Sequence, residues 1–283
     1  MANQKRDGQQ TMKTISIIGL GWLGMPLALT LMGQGYRVVG SKTTADGVEA
    51  ARLSGIEAYP LVMEPQPLCE EEDWQQLMAC DVLIITLPAG RDEESAQAYR
   101  QSVQLLVDGA LSQRVGRIIF ISSTSVYGRE EGEVTEASPR HPQTASGRVL
   151  ASLEDWLHGL PHTSVDILRP AGLVGPERHP GRFMAGRQEL PEGNCGVNLV
   201  HQEDVMAAIA LLLRQENGSR IYNLCAPDHP RKRDFYPAAA KSLGLAEPTF
   251  TPTEKTSLGR IVNGQAICRE LGFEYRFPDP MRM

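Results

Sequence analysis

The segment TISIIGLGWLG, residues 14–24, is the strongest indicator of the fold, because a short apolar run leads directly into a glycine-rich turn. The three glycines have the spacing G-x-G-x-x-G, which suits a tight turn, the close approach of a pyrophosphate and the packing of a helix against a strand. The following helix, predicted over 22–34, offers free backbone N–H groups and the positive end of its dipole to phosphates. We therefore predict a dinucleotide-binding turn. Its predicted cofactor-binding residues are Gly19, Gly21, Trp22, Leu23 and Gly24.

Apolar and amphipathic segments alternate along the first 170 residues, as in a parallel sheet that is covered by helices on both faces. Strands are predicted near 14–18, 36–40, 56–59, 81–86, 116–121 and 164–168. Helices are predicted near 22–34, 45–54, 70–79, 92–110 and 144–158. The sequence thus indicates an α/β fold, a Rossmann-type doubly wound parallel sheet with a smaller C-terminal substrate lobe.

The pattern also predicts how the chain is divided. Residues 1–12 are polar and patternless and are expected to form a disordered arm, and residues 13–171 form the dinucleotide-binding Rossmann domain. Between Pro170 and Gly186, prolines and glycines are too frequent for regular structure to be expected. Residues 172–283 are predicted to form a substrate lobe interleaved with returning sheet elements. Its predicted elements are a helix near 202–214, a strand near 220–224 and helices near 233–243 and 258–271.

The composition argues against several classes of protein. Of the 283 residues, 41% are hydrophobic and 22% are charged, which is ordinary for a globular protein. A formal net charge of −6 argues against a nucleic-acid partner, since such partners require a basic surface. No apolar run approaches the roughly 20 residues that span a bilayer, so we expect a cytoplasmic protein without a membrane partner. The five cysteines are scattered, and neither disulfides nor a metal site are expected.

The residues after the second predicted strand discriminate between NAD and NADP. In a dinucleotide fold an acidic side chain there binds the ribose 2′-hydroxyl, whereas a basic neighbourhood accommodates a 2′-phosphate. The strand runs into Ser41, Lys42 and Thr43, and no carboxylate occurs before Asp46. A cation flanked by hydroxyl groups suits a phosphate, so we predict NADP, with NAD less favoured. The alternative is that Lys42 is an ordinary solvated lysine.

The fourth predicted strand, in the segment DVLIITLPAG, supplies a second edge of the cofactor site. Ligands of open α/β sheets bind outside the carboxyl ends of the strands. Thr86, Leu87 and Pro88 are therefore predicted to line the cofactor, although a proline at this position can also simply end a strand.

Three later segments carry a family resemblance. They are RIIFISSTSVYG at 117–128, VDILRPAGLVGPER at 165–178 and NLVHQEDV at 198–205. In this order they resemble the extended or atypical branch of the short-chain dehydrogenase/reductase family, its NAD-dependent epimerase/dehydratase group. The resemblance covers roughly residues 13–276, and it implies an oxidoreductase, epimerase or dehydratase that uses a nicotinamide cofactor.

The resemblance also implies the catalytic positions, and there this chain departs from the family. The family places a Ser or Thr at the exit of the fifth strand, and then an acid/base Tyr and a Lys four residues apart on the next helix. The first position falls on Ser123, which could instead only cap a Ser-rich turn. The Tyr position holds Thr144 and the Lys position holds Arg148, and neither trades a proton near neutral pH. Arg148 could still hold a ribose or phosphate, and Tyr127 is the candidate substitute acid.

Basic residues follow the sixth predicted strand. Arg169 and Pro170 resemble the family's R-P turn beside the nicotinamide and are candidate cofactor residues, although an arginine and a strand-ending proline need no such role. Further on, Arg178 and Arg182 belong to a group of arginines that could clamp the phosphates of a nucleotide sugar or form a solvated basic loop. The resemblance makes His201 another substrate candidate, because its segment borders the substrate cleft in the family.

Three functions remain open from the sequence. The first is an NAD(P)-dependent oxidoreductase or epimerase/dehydratase acting on a sugar, such as a nucleotide sugar, or another small hydroxylated molecule. The second is a non-catalytic NADP-binding sensor, for which a lost acid is expected. The third is a 3-hydroxyacid dehydrogenase, since residues 17–40 also resemble the opening of that family, which continues into a long all-helical domain. The expected partner is a small-molecule substrate, bound by a monomer or a homodimer.

Overall fold

The computed structural model describes residues 12–283, so of the predicted arm only Met12 lies within the described residues. This part of the chain contains thirteen strands and eight α-helices. The strands are β1 (Thr14–Ile18), β2 (Arg37–Lys42), β3 (Glu57–Pro60), β4 (Val62–Glu64), β5 (Gln66–Leu68), β6 (Val82–Ile85), β7 (Arg117–Ile121), β8 (Gly132–Val134), β9 (Ser164–Pro170), β10 (Gly172–Val174), β11 (Leu199–His201), β12 (Ile221–Leu224) and β13 (Arg260–Val262). The helices are α1 (Gly24–Gly33), α2 (Ala45–Leu53), α3 (Glu71–Met78), α4 (Glu93–Ser112), α5 (Ala145–His158), α6 (Gln202–Arg214), α7 (Lys232–Ser242) and α8 (Ala266–Leu271).

Seven parallel strands form the central sheet, in the order β3, β2, β1, β6, β7, β9, β12. The chain builds the sheet outward from β1 in one direction and then crosses to β6 on the other side. The two central strands pair in register, with Ile17 opposite Ile84. The carboxyl ends of β1 and β6 therefore flank the switch point, where ligands of such sheets bind. The predicted doubly wound α/β fold is confirmed.

Helices cover both faces of this sheet and explain its apolar strands. Ile15 and Ile17 of β1 are fully buried in one core cluster with side chains of α1 and α6. Ile18 is buried on the opposite face, in a second cluster with side chains of α4 and α5. Strands that are buried on both faces carry near-continuous apolar runs instead of an alternating pattern. This is why the runs TISII, VLII and RIIFI are visible in the sequence.

Two predictions for the C-terminal part are wrong. The helix predicted over 258–271 begins only at Ala266, because Arg260–Val262 forms β13 and pairs in parallel with β8. The stretch expected to lack regular structure contains β10, which pairs with β11. Strands of three residues depend on partners distant in the sequence, and such short apolar runs carry no periodic signal of their own.

The hydroxyacid dehydrogenase alternative does not agree with this architecture. It requires a long helical domain after residue 165. In the described chain beyond that point, α6, α7 and α8 have only 13, 11 and 6 residues and alternate with strands, one of which returns to the central sheet. None of the helices in residues 12–283 is both long and apolar enough to cross a membrane.

Candidate active site

The glycine turn, residues 19–24, lies at the carboxyl end of β1 beside the switch point. Gly19 has a φ of +104°, a conformation in which a side chain would be strained. A Cβ on Gly24 would overlap the carbonyl oxygen of Gly19, so only glycine lets α1 begin this close to β1. Gly21 is exposed, and no heavy atom lies within 4 Å of the place where its Cβ would be. A phosphate can therefore approach its backbone closely.

Two hydroxyl groups from the neighbouring strands hold the glycine turn in place. Thr86 Oγ1 donates to the carbonyl oxygen of Gly19 at 2.7 Å, and Ser41 Oγ accepts from the Gly19 N–H at 3.0 Å. The first turn of α1 contains no acidic side chain that would oppose an anion at the positive end of the helix. The turn thus fits the diphosphate of a dinucleotide by shape and by charge.

The other predicted cofactor residues lie within this turn or at the neighbouring end of β6. Trp22 is half-buried and Leu23 is buried. Leu87 is half-buried beside Gly19, with Cδ2 only 3.2 Å from where a Cβ on that glycine would lie, and Pro88 is exposed at the same edge of the sheet.

Lys42 is the last residue of β2, at the position that distinguishes NADP from NAD in dinucleotide folds. Lys42 is half-buried, and its Cδ lies 3.3 Å from where a Cβ on Gly47 would be, so the side chain packs along the start of α2. Thr43 is exposed, and Thr44 caps α2 by accepting from the Gly47 N–H at 3.1 Å. The first carboxylate, that of Asp46, is exposed in the first turn of the helix.

The exit of β7 places Ser123 and Tyr127 in different surroundings. Ser123 is half-buried, and its Oγ accepts from the Ser125 N–H at 3.1 Å, which leaves its own O–H as a donor. Tyr127 is only 2% exposed. Its hydroxyl accepts from Arg169 Nη1 at 2.7 Å and lies 2.8 Å from Asn223 Oδ1 and 2.9 Å from the carbonyl oxygen of Thr135. Burial raises the pKa of this phenol, and Arg169 only partly opposes the effect.

The two residues predicted at the family's Tyr and Lys positions lie at the exposed start of α5. Thr144 is the N-cap residue, and its Oγ1 accepts from the Gly147 N–H at 3.0 Å. Arg148 is exposed; its guanidinium pairs with the carboxylate of Glu93 at the start of α4 and donates to the carbonyl oxygen of Gln143 at 3.1 Å. Both side chains therefore have structural partners.

A buried polar network lies behind the exit of β7, and it consists of Ser122, Tyr127, Glu154, Arg169 and Asn223. Arg169 is 2% exposed and donates to both carboxylate oxygens of Glu154, from Nε at 3.0 Å and from Nη2 at 2.6 Å. Ser122 Oγ donates to the same carboxylate at 2.5 Å. The guanidinium of Arg169 thus points into the protein and holds Tyr127 and Glu154 together, while Pro170 ends β9 in a buried position.

The role of Glu154 was not predicted from the sequence, although a signal was present. The buried face of α5 includes Leu150, Leu153 and Leu157, and Glu154 lies on that same face. A carboxylate on an apolar helix face is almost never left unpaired. It should therefore have indicated a buried cation on a neighbouring element.

The predicted substrate residues are divided between two places. The arginine loop, residues 175–187, carries Arg178 and Arg182, both exposed. The guanidinium of Arg178 lies over the ring of Trp22, with Cζ 5.4 Å from the ring centroid. His201 is buried, caps α6 by accepting from the Glu203 N–H, and stacks on Phe277 at a centroid distance of 3.8 Å. Its burial lowers the pKa of the imidazole.

Within residues 12–283, no cluster of three or more His, Cys, Asp or Glu side chains could hold a metal ion.

A parallel sheet with a glycine turn at its switch point, and with the Ser-rich strand exit beside it, defines a class of dinucleotide-binding proteins. The chain belongs to the NAD dependent epimerase/dehydratase family, whose sequence profile matches residues 15–225. It is 58% identical to the protein YeeZ of Escherichia coli strain K12 over 272 residues, which are 96% of this chain and 99% of that protein.

A UDP-glucose 4-epimerase and the enzyme WbmG are among the solved structures that share the fold over nearly the whole chain. A UDP-glucose 4-epimerase superposes with a TM-score of 0.77 at 18% identity, covering 95% of this chain and 94% of its own. The enzyme WbmG of Bordetella bronchiseptica, in complex with NAD and UDP, gives a TM-score of 0.77 at 16% identity, covering 96% of this chain and 93% of its own. At these identities the likeness concerns the fold.

Proposed function

We propose that the chain binds a nicotinamide dinucleotide, with NADP preferred, and acts as an oxidoreductase or epimerase on a sugar or another small hydroxylated molecule. The observation that carries the proposal is the geometry of the glycine turn. Gly19 and Gly24 let α1 begin directly beside β1, and the space beside Gly21, whose own N–H donates to the Gly19 carbonyl oxygen at 2.8 Å, leaves room for a phosphate. Membership of an NAD-dependent family supports the same cofactor class.

Each part of the proposed cofactor site would bind a different part of the dinucleotide. Backbone N–H groups of the glycine turn would bind the diphosphate, and Lys42 with Thr43 would bind a 2′-phosphate. The carboxyl edge of β6, at Thr86 to Pro88, would border the rest of the cofactor. When bound, the dinucleotide supplies a nicotinamide ring that accepts or donates hydride. We also propose that residues 13–171 carry this cofactor site and that residues 172–283 provide the substrate side.

Among the candidate catalytic groups, the geometry favours Ser123 for contact with a substrate. Its O–H is free to donate, since the described contact of its Oγ is as an acceptor. Tyr127 is enclosed by Arg169, Asn223 and Thr135, and its raised pKa makes it a poor acid/base. We therefore propose Tyr127 as a positioning residue. Arg148 stays a candidate for the cofactor ribose only if its pair with Glu93 opens.

The substrate class is proposed from the neighbours and from the arginine loop. The epimerase is named for UDP-glucose, and WbmG is described in complex with UDP. Exposed arginines such as Arg182 can bind the phosphates of a similar nucleotide sugar.

One experiment tests the proposed function. Binding of NADP and NAD is measured by calorimetry, and the loaded protein is then incubated with a panel of nucleotide sugars and hydroxy acids while the nicotinamide absorbance is followed. We expect saturable NADP binding and an absorbance change with at least one member of the panel. Absence of binding by either dinucleotide would contradict the proposal.

A non-catalytic NADP sensor is the second candidate, and the start of α5 favours it. Thr144 and Arg148, which the resemblance assigns to the positions of the family's proton relay, are engaged as a helix cap and a surface ion pair. A sensor binds NADP tightly but turns over no member of the panel. The same experiment therefore separates the two functions.

Replacement of Lys42 by glutamate should reverse the cofactor preference. A charge-assisted hydrogen bond contributes about 1.5–3 kcal/mol, so we expect the NADP Kd to rise roughly 10- to 100-fold while the NAD Kd changes little. Calorimetry with both dinucleotides measures the effect. Lys241→Glu, an equal charge change at an exposed site in α7, is the control. An equal loss of NADP affinity in both variants would show that only net charge matters.

Replacement of Tyr127 by phenylalanine tests its role. Removing the hydroxyl leaves buried partners unsatisfied, and we expect the free energy of unfolding to fall by about 1–3 kcal/mol. On a substrate that the panel identifies, kcat should fall less than about 10-fold, because loss of a general acid costs roughly 100- to 10,000-fold. A loss in that larger range, with the fold intact by circular dichroism, would make Tyr127 the acid after all.

A further inference from the structure

Trp22 joins the glycine turn to the arginine loop. Its indole Nε1–H donates to the carbonyl oxygen of Pro176 at 2.7 Å, and its own carbonyl oxygen accepts from Gln202 Nε2 at 2.5 Å. The same ring lies under the guanidinium of Arg178. One residue of the cofactor site thus contacts the start of the arginine loop and the start of α6. We call the contacts of Trp22 with Pro176, Arg178 and Gln202 the clasp.

The backbone of the arginine loop is shaped to make these contacts. Gly175 and Arg178 exchange backbone hydrogen bonds across a tight turn, in which Glu177 has a φ of +63°. Gly175 itself has a φ of +153°, and a Cβ there would lie 3.0 Å from Gln202 Cβ and 3.2 Å from Trp22 Cζ2. A glycine at this position therefore permits the turn to pack directly on the indole.

The charge of Arg178 has no carboxylate partner among the side chains of residues 12–283 within salt-bridge distance. It is exposed and rests on the face of an aromatic ring, an arrangement that orients a guanidinium without neutralising it. The adjoining start of α1 lacks acidic side chains. An oriented cation without a carboxylate partner therefore lies over the ring of Trp22, a residue of the glycine turn.

We propose that Arg178 binds the diphosphate of the dinucleotide, and that the clasp makes dinucleotide binding and the position of the arginine loop interdependent. The proposal rests on the proposed function, and it moves Arg178 from the substrate phosphates to the cofactor phosphates. Arg182, further along the same loop, stays available to a substrate. Planar guanidinium groups suit such bidentate phosphate contacts.

The test measures NADP binding by calorimetry with the full chain. Arg178→Ala is expected to raise the NADP Kd about 10-fold or more, since one charge-assisted contact is lost. Arg178→Lys, which keeps the charge, should recover part of that affinity. The matched control is Arg187→Ala, which removes the same charge from the same exposed loop and should leave the NADP Kd within about two-fold.

Thermal unfolding of each variant verifies that the fold is intact, which is expected because Arg178 is exposed. If Arg178→Ala binds NADP with the same Kd as the wild-type chain, the proposal is overturned. Equal losses of NADP affinity in Arg178→Ala and Arg187→Ala would overturn the proposal too, because they would show that only the net charge of the loop matters. If the wild-type chain binds neither NADP nor NAD, the proposed function itself fails, a result distinguishable from both.

Discussion

A chain in which alanine replaces Gly24 is expected to lose nicotinamide dinucleotide binding. The new Cβ would overlap the Gly19 carbonyl oxygen and lie 3.2 Å from the Thr86 hydroxyl, so α1 must move away from β1. The backbone N–H groups that would bind the diphosphate then lose their common geometry. Loss of two charge-assisted hydrogen bonds corresponds to an increase in the NADP Kd of about 100-fold or more. Calorimetry measures this increase.

Two further glycine variants make this result interpretable. Gly33→Ala lies in the same helix with no heavy atom within 4 Å of its Cβ, and it should bind NADP normally. Gly21→Ala also has room in the protein alone, so it should fold like the wild-type chain and still lose affinity. If Gly24→Ala does not fold, Gly21→Ala alone tests whether the glycine turn binds NADP. NADP affinity within a few-fold of wild type in Gly21→Ala and Gly24→Ala would contradict the proposed role of the turn.

Among the substitutions proposed for this chain, Glu154→Gln should lower the free energy of unfolding the most. Glu154 and Arg169 have side-chain exposures of 1% and 2%, and the substitution leaves the guanidinium buried without its countercharge. Breaking a buried pair by removing one partner costs about 3–5 kcal/mol of the free energy of unfolding. Denaturation in urea measures this loss.

The neighbouring residue provides the control. Asp155 also pairs with an arginine, Arg140, which contacts Glu154 as well, but the Asp155 side chain is 68% exposed. Exposed pairs contribute about 0–1 kcal/mol, so Asp155→Asn should be nearly neutral. If the two variants lost equal stability, the buried network would have no special role.

The sequence predicted the central sheet well because burial on both faces leaves a strong local signal. The strands around β1, β6 and β7 are apolar runs, and the glycine turn has a defined spacing. The segment at Arg260–Val262 was misassigned because its strand exists only through pairing with β8. A three-residue run carries too little pattern to report a partner more than a hundred residues away.

The candidate site was predictable in position but not in its contacts. Ser41 and Thr86 were expected beside the cofactor, and the structure shows that their hydroxyls bond to Gly19. Those partners depend on the register between neighbouring strands, which the sequence does not state. The inward direction of Arg169 depends in the same way on the rotation of α5, which brings Glu154 to face it.

Amide hydrogen exchange of the wild-type chain, with and without NADP, tests the claim that the glycine turn binds the dinucleotide. We predict slower exchange in peptides that cover residues 19–24 and 42–47 at saturating NADP. Unchanged exchange in both segments would contradict the claim.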